Sequence, residues 1–189
     1  MKNLKPTVFL DRDGTLIHDA HYLQDTKDLV LFDNSATAIK ALNDNDILTV
    51  LVTNQSGVAR GLFSEDTVVE LNCYLSDLLK EENGSHIDGF YYCPHHKNGN
   101  IEEYSIKCDC RKPKTGMIDA AVKDFENIDL SKSYVIGDKK CDIDLAKNAN
   151  VKSVLVRTGY GKEVEAECDA DYVADDIKQA VEWILQDLK

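Results

Sequence analysis

Residues 7–15 read Thr7-Val8-Phe9-Leu10-Asp11-Arg12-Asp13-Gly14-Thr15, four strand-forming residues that run straight into a polar turn. The same design recurs twice. Ile47–Val52 is a continuous apolar run rich in β-branched residues, suited to a strand buried on both faces, and it ends in Thr53-Asn54-Gln55-Ser56-Gly57. Tyr134–Ile136 is a short strand closed by Gly137-Asp138. Helical patterns lie between and beyond these strands. Ser35–Leu42 reads as a short helix. A longer one starts near Ser64, which can cap it, with Glu65 and Asp66 in its first turn. Its apolar stripe is Val68, Leu71, Leu75, Leu78 and Leu79, Cys73 is expected as a small core residue, and Gly84 ends it. Ile87–Tyr92 reads as a strand, Met117 to Phe125 as a helix, Asp142–Asn148 as a helix, Ser153–Val156 as a strand, and Ile177 to Leu188 as a terminal helix. Strands alternating with helices specify an α/β fold, a parallel sheet covered on both faces, expected as one domain over residues 1–189. Ligands of such sheets sit beyond the carboxyl ends of the strands, so the three polar turns converge on one rim.

Composition narrows the function. The chain has 189 residues, 22 Lys and Arg against 34 Asp and Glu, and a formal net charge of -12. That balance removes generic nucleic-acid binding and polybasic docking to an anionic membrane. No apolar run approaches the length of a membrane span, and the N-terminus lacks the design of a signal peptide, so a cytoplasmic location is expected. Six cysteines in an intracellular chain point to reduced, buried, reactive or metal-bound thiols rather than disulfides. Nothing in the sequence fixes the oligomeric state; a monomer is the expectation. The charge is also uneven. Residues 162–189 hold nine acidic and three basic side chains, whereas residues 107–114 hold four basic and one acidic.

The rim residues suit phosphoryl chemistry. Asp11 and Asp13 sit two apart, so in an extended strand end they share a face. Two close carboxylates repel unless a cation lies between them, and Mg²⁺ is the natural partner for one or two carboxylates. Asp138 supplies another oxygen, and Asp142 either binds a metal water or orients Asp138. Thr53 offers a hydroxyl, the Asn54–Gly57 turn offers backbone N–H groups, and Arg111, Lys112 and Lys139 offer positive charge.

DRDGT at 11–15, TNQSG at 53–57, the lysine of CRKPKTGM at 110–117 and GDKKCD at 137–142 resemble, in order, the four motifs of the haloacid dehalogenase (HAD) superfamily of phosphatases. The resemblance implies a Rossmann-like three-layer fold. It implies Asp11 as the nucleophile that forms an aspartyl-phosphate, and Asp13 as the acid and base. Thr53 and Lys112 would steady the phosphoryl group. Asp11, the backbone carbonyl of Asp13, and Asp138 would bind catalytic Mg²⁺.

Cys93-Pro94-His95-His96 and Cys108-Asp109-Cys110-Arg111-Lys112-Pro113 resemble the zinc loop of the heptose bisphosphate phosphatases and of the related histidinol-phosphate phosphatases. Cys93, His95, Cys108 and Cys110 form a Cys₃His set suited to structural Zn²⁺. His96 is not expected as a ligand. Cys141 and Cys168 have no visible partner, and His18, His21 and His86 read as surface residues, with His21 near the substrate. TNQSGVARG with Arg60 matches the heptose bisphosphatase form, whose resemblance also implies substrate contacts from Asp19 and Tyr22. Arg12, Asn54, Gln55, Ser56, Arg111 and Lys139 complete the expected substrate contacts. About twenty residues separate the first motif from the Ser35 helix, and the zinc loop fills much of the stretch from Ile87 to Met117, leaving no room for a large cap domain. The implied activity is hydrolysis of the 7-phosphate of D-glycero-D-manno-heptose 1,7-bisphosphate, in the making of nucleotide-activated heptose for surface polysaccharide. Histidinol phosphate is the alternative substrate, and a zinc-stabilised binding protein without catalysis is the alternative class.

Overall fold

The computed structural model describes residues 4–189. Six parallel strands form one sheet: β1 (Thr7–Leu10), β2 (Leu48–Asn54), β3 (Gly89–Cys93), β4 (Tyr134–Gly137), β5 (Lys152–Val156) and β6 (Tyr172–Ala174). Their order is β3-β2-β1-β4-β5-β6. The chain therefore winds outward from β1 to β3, returns to the middle, and winds outward again from β4 to β6. The reversal places a crevice between the carboxyl ends of β1 and β4, where sheets of this kind bind ligands. Phe9 pairs in register with Val50 on β2 and with Val135 on β4, so β1 is flanked on both edges.

Helices α1 (Ser35–Asp44), α2 (Glu65–Asn83), α3 (Gly116–Asp124), α4 (Lys140–Ala149), the single turn α5 (Gly161–Val164) and α6 (Ile177–Asp187) complete the layers. Side-chain alternation along the strands splits the core in two. Val8, Leu10 and Leu51 pack with α1, α2 and α6 through Ile39, Leu75 and Ile184, among others. Phe9, Val50, Val52 and Val135 pack on the opposite side with α3 and α4 through Ile118, Ala121 and Leu145. Burial on both faces explains the continuous apolar runs of the strands.

The capping signals hold. Ser64 accepts a hydrogen bond from Thr67 N, and Gly84 ends α2 in the left-handed conformation. Asp176 caps α6 by accepting from Gln179 N and also accepts from Asn34 Nδ2, joining α6 to the start of α1. Two expectations change. Cys73 is exposed, because it lies off the Val68–Leu71–Leu75–Leu79 stripe. The third strand begins at Gly89 rather than Ile87, because Asp88 turns its carboxylate onto Thr49 N, at 2.7 Å. Strand β6 has three residues, too few to show a period. There the sole tryptophan, Trp183 of α6, stacks on Tyr172 of β6 with ring centroids 4.9 Å apart. Among the described residues no helix is long and apolar enough to cross a membrane.

Candidate active site and metal centres

A polar cavity of about 330 Å³ opens over the carboxyl ends of β1, β2 and β4. Asp11, the first residue after β1, is 5% exposed and lies on its floor. Lys112 Nζ stands 2.9 Å from Asp11 Oδ1 and 2.6 Å from Asp142 Oδ1, and donates to the carbonyl of Val52 at 2.9 Å. Burial alone would lift the Asp11 carboxyl, but the charges of Lys112 and Lys139 outweigh it and hold the group below its ordinary value. Burial likewise opposes the charge on Lys112, yet Asp11 and Asp142 hold its ammonium above its usual range. Asp11 is therefore a carboxylate and Lys112 an ammonium at neutral pH. Asp142 also accepts from Lys139 N at the start of α4, 3.0 Å away, so its work is to seat Lys112 and cap the helix. Burial pushes the Asp142 carboxyl up to about 6 against the pull of Lys112.

Asp138 follows β4 and has no exposure. Its Oδ2 accepts from Tyr160 N at 2.9 Å, while its buried Oδ1 has no hydrogen-bond partner among the described residues. Gly14, at φ +89°, and Gly159, at φ +52°, press against this carboxylate, and a Cβ on either would come within 2.3 Å of Oδ2. Burial, then the charge of Asp11, pushes the Asp138 carboxyl up to about 7. Oxygens of Asp11, Asp138 and Asp142 lie within 4.8 Å of one another. An orphaned buried oxygen and crowded carboxylates, cradled by glycines, fit a hard divalent cation. The carbonyl of Asp13 belongs to the same corner: Lys139 Nζ reaches it at 3.4 Å and Asp138 Oδ2 at 3.8 Å.

The remaining expected residues divide clearly. Asp13, Thr53, Ser56 and Arg111 line the cavity, and Asp19 and Tyr22 form part of its outer wall. Gln55 lines it too and ties Asp13 to Thr53, its Nε2 lying 2.8 Å from Asp13 Oδ2 and 2.9 Å from Thr53 Oγ1. Asn54 reaches the cavity but spends its amide on Lys112, accepting from Lys112 N at 3.0 Å and donating to Lys112 O at 3.3 Å. Lys139 joins the cavity to Asp19 at 3.3 Å and lies 5.0 Å from the centre of the Tyr160 ring. Two expected contacts sit elsewhere. Arg12 has no exposed surface and points beneath the site, onto Asp13 and α2. Arg60 stands outside the lining, with its guanidinium 5.9 Å from the centre of the Tyr22 ring.

Sequence reasoning missed Tyr160 and Cys141. Tyr160 belongs to Thr158-Gly159-Tyr160-Gly161, the turn just beyond β5. Its hydroxyl meets His21 Nδ1 at 3.2 Å, closing one wall of the cavity over the strained loop in which His21 and Tyr22 both have positive φ. The turn ends a strand as the three motif turns do, and that was the available signal. Cys141 lines the cavity beside Asp142, and burial pushes its thiol up to about 12.

The second cluster lies just beyond the edge strand. Cys93 ends β3, and the loop after it returns Cys108 and Cys110 to the same point. Cys93 Sγ is 3.6 Å from Cys108 Sγ and 3.1 Å from Cys110 Sγ, and His95 Nδ1 lies 3.3 Å from Cys110 Sγ and 3.8 Å from Cys93 Sγ. A tetrahedron with bonds of about 2.3 Å has edges of about 3.8 Å, so four donors at these separations fit one Zn²⁺. The hydrogen bond it shares with Cys93 lowers the Cys110 thiol to about 5, toward the thiolate form that ligates metal. His96 stays outside the set and accepts from Asn98 N. Arg111 Nη1 donates to the His95 carbonyl at 3.2 Å, so the cluster and the cavity share the segment from Cys110 to Lys112.

Comparisons with known proteins agree with this geometry. The HAD-hydrolase-like family model matches residues 109–180. The chain is 46% identical over 181 residues to the D-glycero-beta-D-manno-heptose-1,7-bisphosphate 7-phosphatase of Haemophilus ducreyi, covering 95% of this chain and 98% of that protein. It is 42% identical to the Escherichia coli protein of the same name, over 93% of each. Among solved structures, the D,D-heptose 1,7-bisphosphate phosphatase of B. bronchiseptica complexed with magnesium and phosphate superposes with a TM-score of 0.84 at 30% identity, covering 96% of this chain and 99% of that one.

Proposed function

The chain belongs to the heptose-bisphosphate 7-phosphatase family of HAD-like hydrolases, and from that premise we propose that it removes the 7-phosphate of D-glycero-D-manno-heptose 1,7-bisphosphate on the way to nucleotide-activated heptose. The β anomer is the form proposed, since it is the one in the names of the H. ducreyi and E. coli relatives. One domain, residues 1–189, carries the activity. The observation that carries this reading is the pair Asp11–Lys112, an ionised carboxylate and an ammonium 2.9 Å apart on the floor of a polar cavity.

Asp11 attacks the phosphorus. Lys112 holds it ionised and, with the Thr53 hydroxyl, meets the charge that gathers on the transferring group. The bond from phosphorus to the sugar oxygen breaks, and that oxygen takes a proton from Asp13. Water then attacks the aspartyl-phosphate, giving its proton to Asp13. Phosphate leaves and Asp11 is restored, so the protons balance over the cycle. Asp11, the Asp13 carbonyl and Asp138 would hold Mg²⁺, which when bound would offset the negative charge of the phosphoryl oxygens. Cys93, His95, Cys108 and Cys110 would hold structural Zn²⁺, which would fix the loop that presents Arg111 and Lys112. Arg111, Asp19, Tyr22 and Lys139 read the sugar and its second phosphate.

A phosphate-release assay over both anomers of the heptose bisphosphate, with histidinol phosphate beside them, tests the proposal. The β-heptose bisphosphate is expected to give the highest kcat/KM. Faster turnover of histidinol phosphate overturns the substrate, and turnover of none overturns the enzyme.

A further inference from the structure

Arg12 is a charged side chain with no exposure, lying between the two carboxylates of the first motif and beneath the cavity rather than in it. A guanidinium buried so completely is tolerated only where its donors are met. Its Nε lies 3.2 Å from Asp13 Oδ2 and its Nη2 lies 3.2 Å from the same oxygen and 3.3 Å from Asp13 Oδ1. Its Nη1 donates to Asn72 Oδ1 at 3.0 Å. Asn72 is an amide on the core side of α2, 5% exposed, among Val68, Leu71, Leu75 and Leu79. Packing alone would favour an apolar residue there. The amide is explained by the guanidinium it accepts from.

The contacts on Asp13 are lopsided. Oδ2 accepts from Gln55 Nε2 at 2.8 Å and from Arg12 Nε at 3.2 Å, whereas Oδ1 accepts the longer 3.3 Å bond from Arg12 Nη2. We propose that Asn72 and Arg12 are positioning residues for Asp13: Asn72 sets the guanidinium, the guanidinium fork holds both carboxylate oxygens and fixes the plane of the carboxylate, and Oδ1, the less tightly held of the two, carries the proton to the leaving oxygen. The proposal rests on the reading of Asp13 as the acid and base. The planar fork matters, because a lysine ammonium cannot grip the carboxylate and reach Asn72 in one fixed geometry.

The test uses the leaving group. A sugar alkoxide needs a proton as its bond to phosphorus breaks; p-nitrophenolate leaves without one. Asn72→Leu and Arg12→Lys each lower the single-turnover rate of the first step, release of the leaving group, by about tenfold or more on the heptose bisphosphate, while single-turnover release of p-nitrophenolate from p-nitrophenyl phosphate, which takes no proton from Asp13, falls by less than about threefold. Asn72→Asp, which keeps an acceptor oxygen, stays within about threefold of the parent on both substrates. Equal losses on the two substrates, no loss on either, or Asn72→Asp falling as far as Asn72→Leu overturns the proposal. Asp13→Asn is run alongside: full turnover of the heptose bisphosphate by that variant would sink the acid–base reading itself. Loss there, with Asn72→Leu and Arg12→Lys unaffected, would sink only the positioning.

Discussion

The two clusters on the rim are built in opposite ways. The carboxylate corner takes Asp11 and Asp138 from the ends of adjacent strands, so the sheet itself brings them together. The thiol cluster takes one residue from a strand end and three from the loop that follows, a stretch with a single three-residue helical turn. The first is a product of the fold and asks for a hard cation to relieve its charge. The second makes a fold out of a loop and asks for a soft one. Metal is therefore expected to be needed for chemistry at one and for structure at the other, although both act on Lys112.

The strongest test of that contrast is Asp11→Asn, expected to cut turnover by roughly a thousandfold or more with an unchanged circular dichroism spectrum, as loss of a nucleophile does. Dialysis against buffer without Mg²⁺ is expected to bring phosphate release to background while the melting temperature holds within a few degrees, and added Mg²⁺ restores it. A large fall in melting temperature would place a structural metal at the carboxylates. Cys110→Ser is expected to lose zinc by elemental analysis and to lower kcat by about 10- to 100-fold, with faster amide exchange confined to residues 93–112. Rapid exchange across the sheet would mean that the loop supports the whole fold. The smallest effect concerns protons. The Asp138 carboxyl is pushed up to about 7 in the metal-free protein, so below that pH Mg²⁺ must displace a proton. Mg²⁺ affinity, read by calorimetry, is expected to rise roughly tenfold per unit toward pH 7 and then level off. Without metal the same raised carboxyl favours the folded state at low pH, because the folded protein binds the proton more tightly than the unfolded chain. That stabilisation falls as pH rises from about 4 to 7. No comparable Mg²⁺ response is expected of the thiols.

Much of this was legible in the residues, because buried parallel strands announce themselves as apolar runs and their polar ends mark the rim. Asp11, Thr53 and Asp138 were found that way. Arg12 reads as a substrate contact from its motif, but if positions 11 and 13 share a face, position 12 turns to the other. Cys73 is exposed for a similar reason: it lies five residues from Val68 and so well round the helix from the stripe. Thr158-Gly159-Tyr160-Gly161 carries no charge, so little in it marks Tyr160, although it ends a strand as the others do. The approach of Cys93 and His95 to Cys108 and Cys110 is a tertiary fact, set by how the loop folds back. The spacing within each pair suggests ligands and the family resemblance joins the pairs into one Cys₃His set; the structure places the four donor atoms within 4.8 Å of one another.

Trp183 is stacked against Tyr172 at the edge of the sheet opposite β3 and its loop. As the only indole in the chain it makes the protein optically one-eyed. Its emission reports the α6–β6 edge coming apart. An opening of the thiol loop that leaves that edge intact passes unseen. A flat fluorescence trace during chelation is thus compatible with complete loss of order around Lys112, and a second reporter placed on that loop is what would make the event visible.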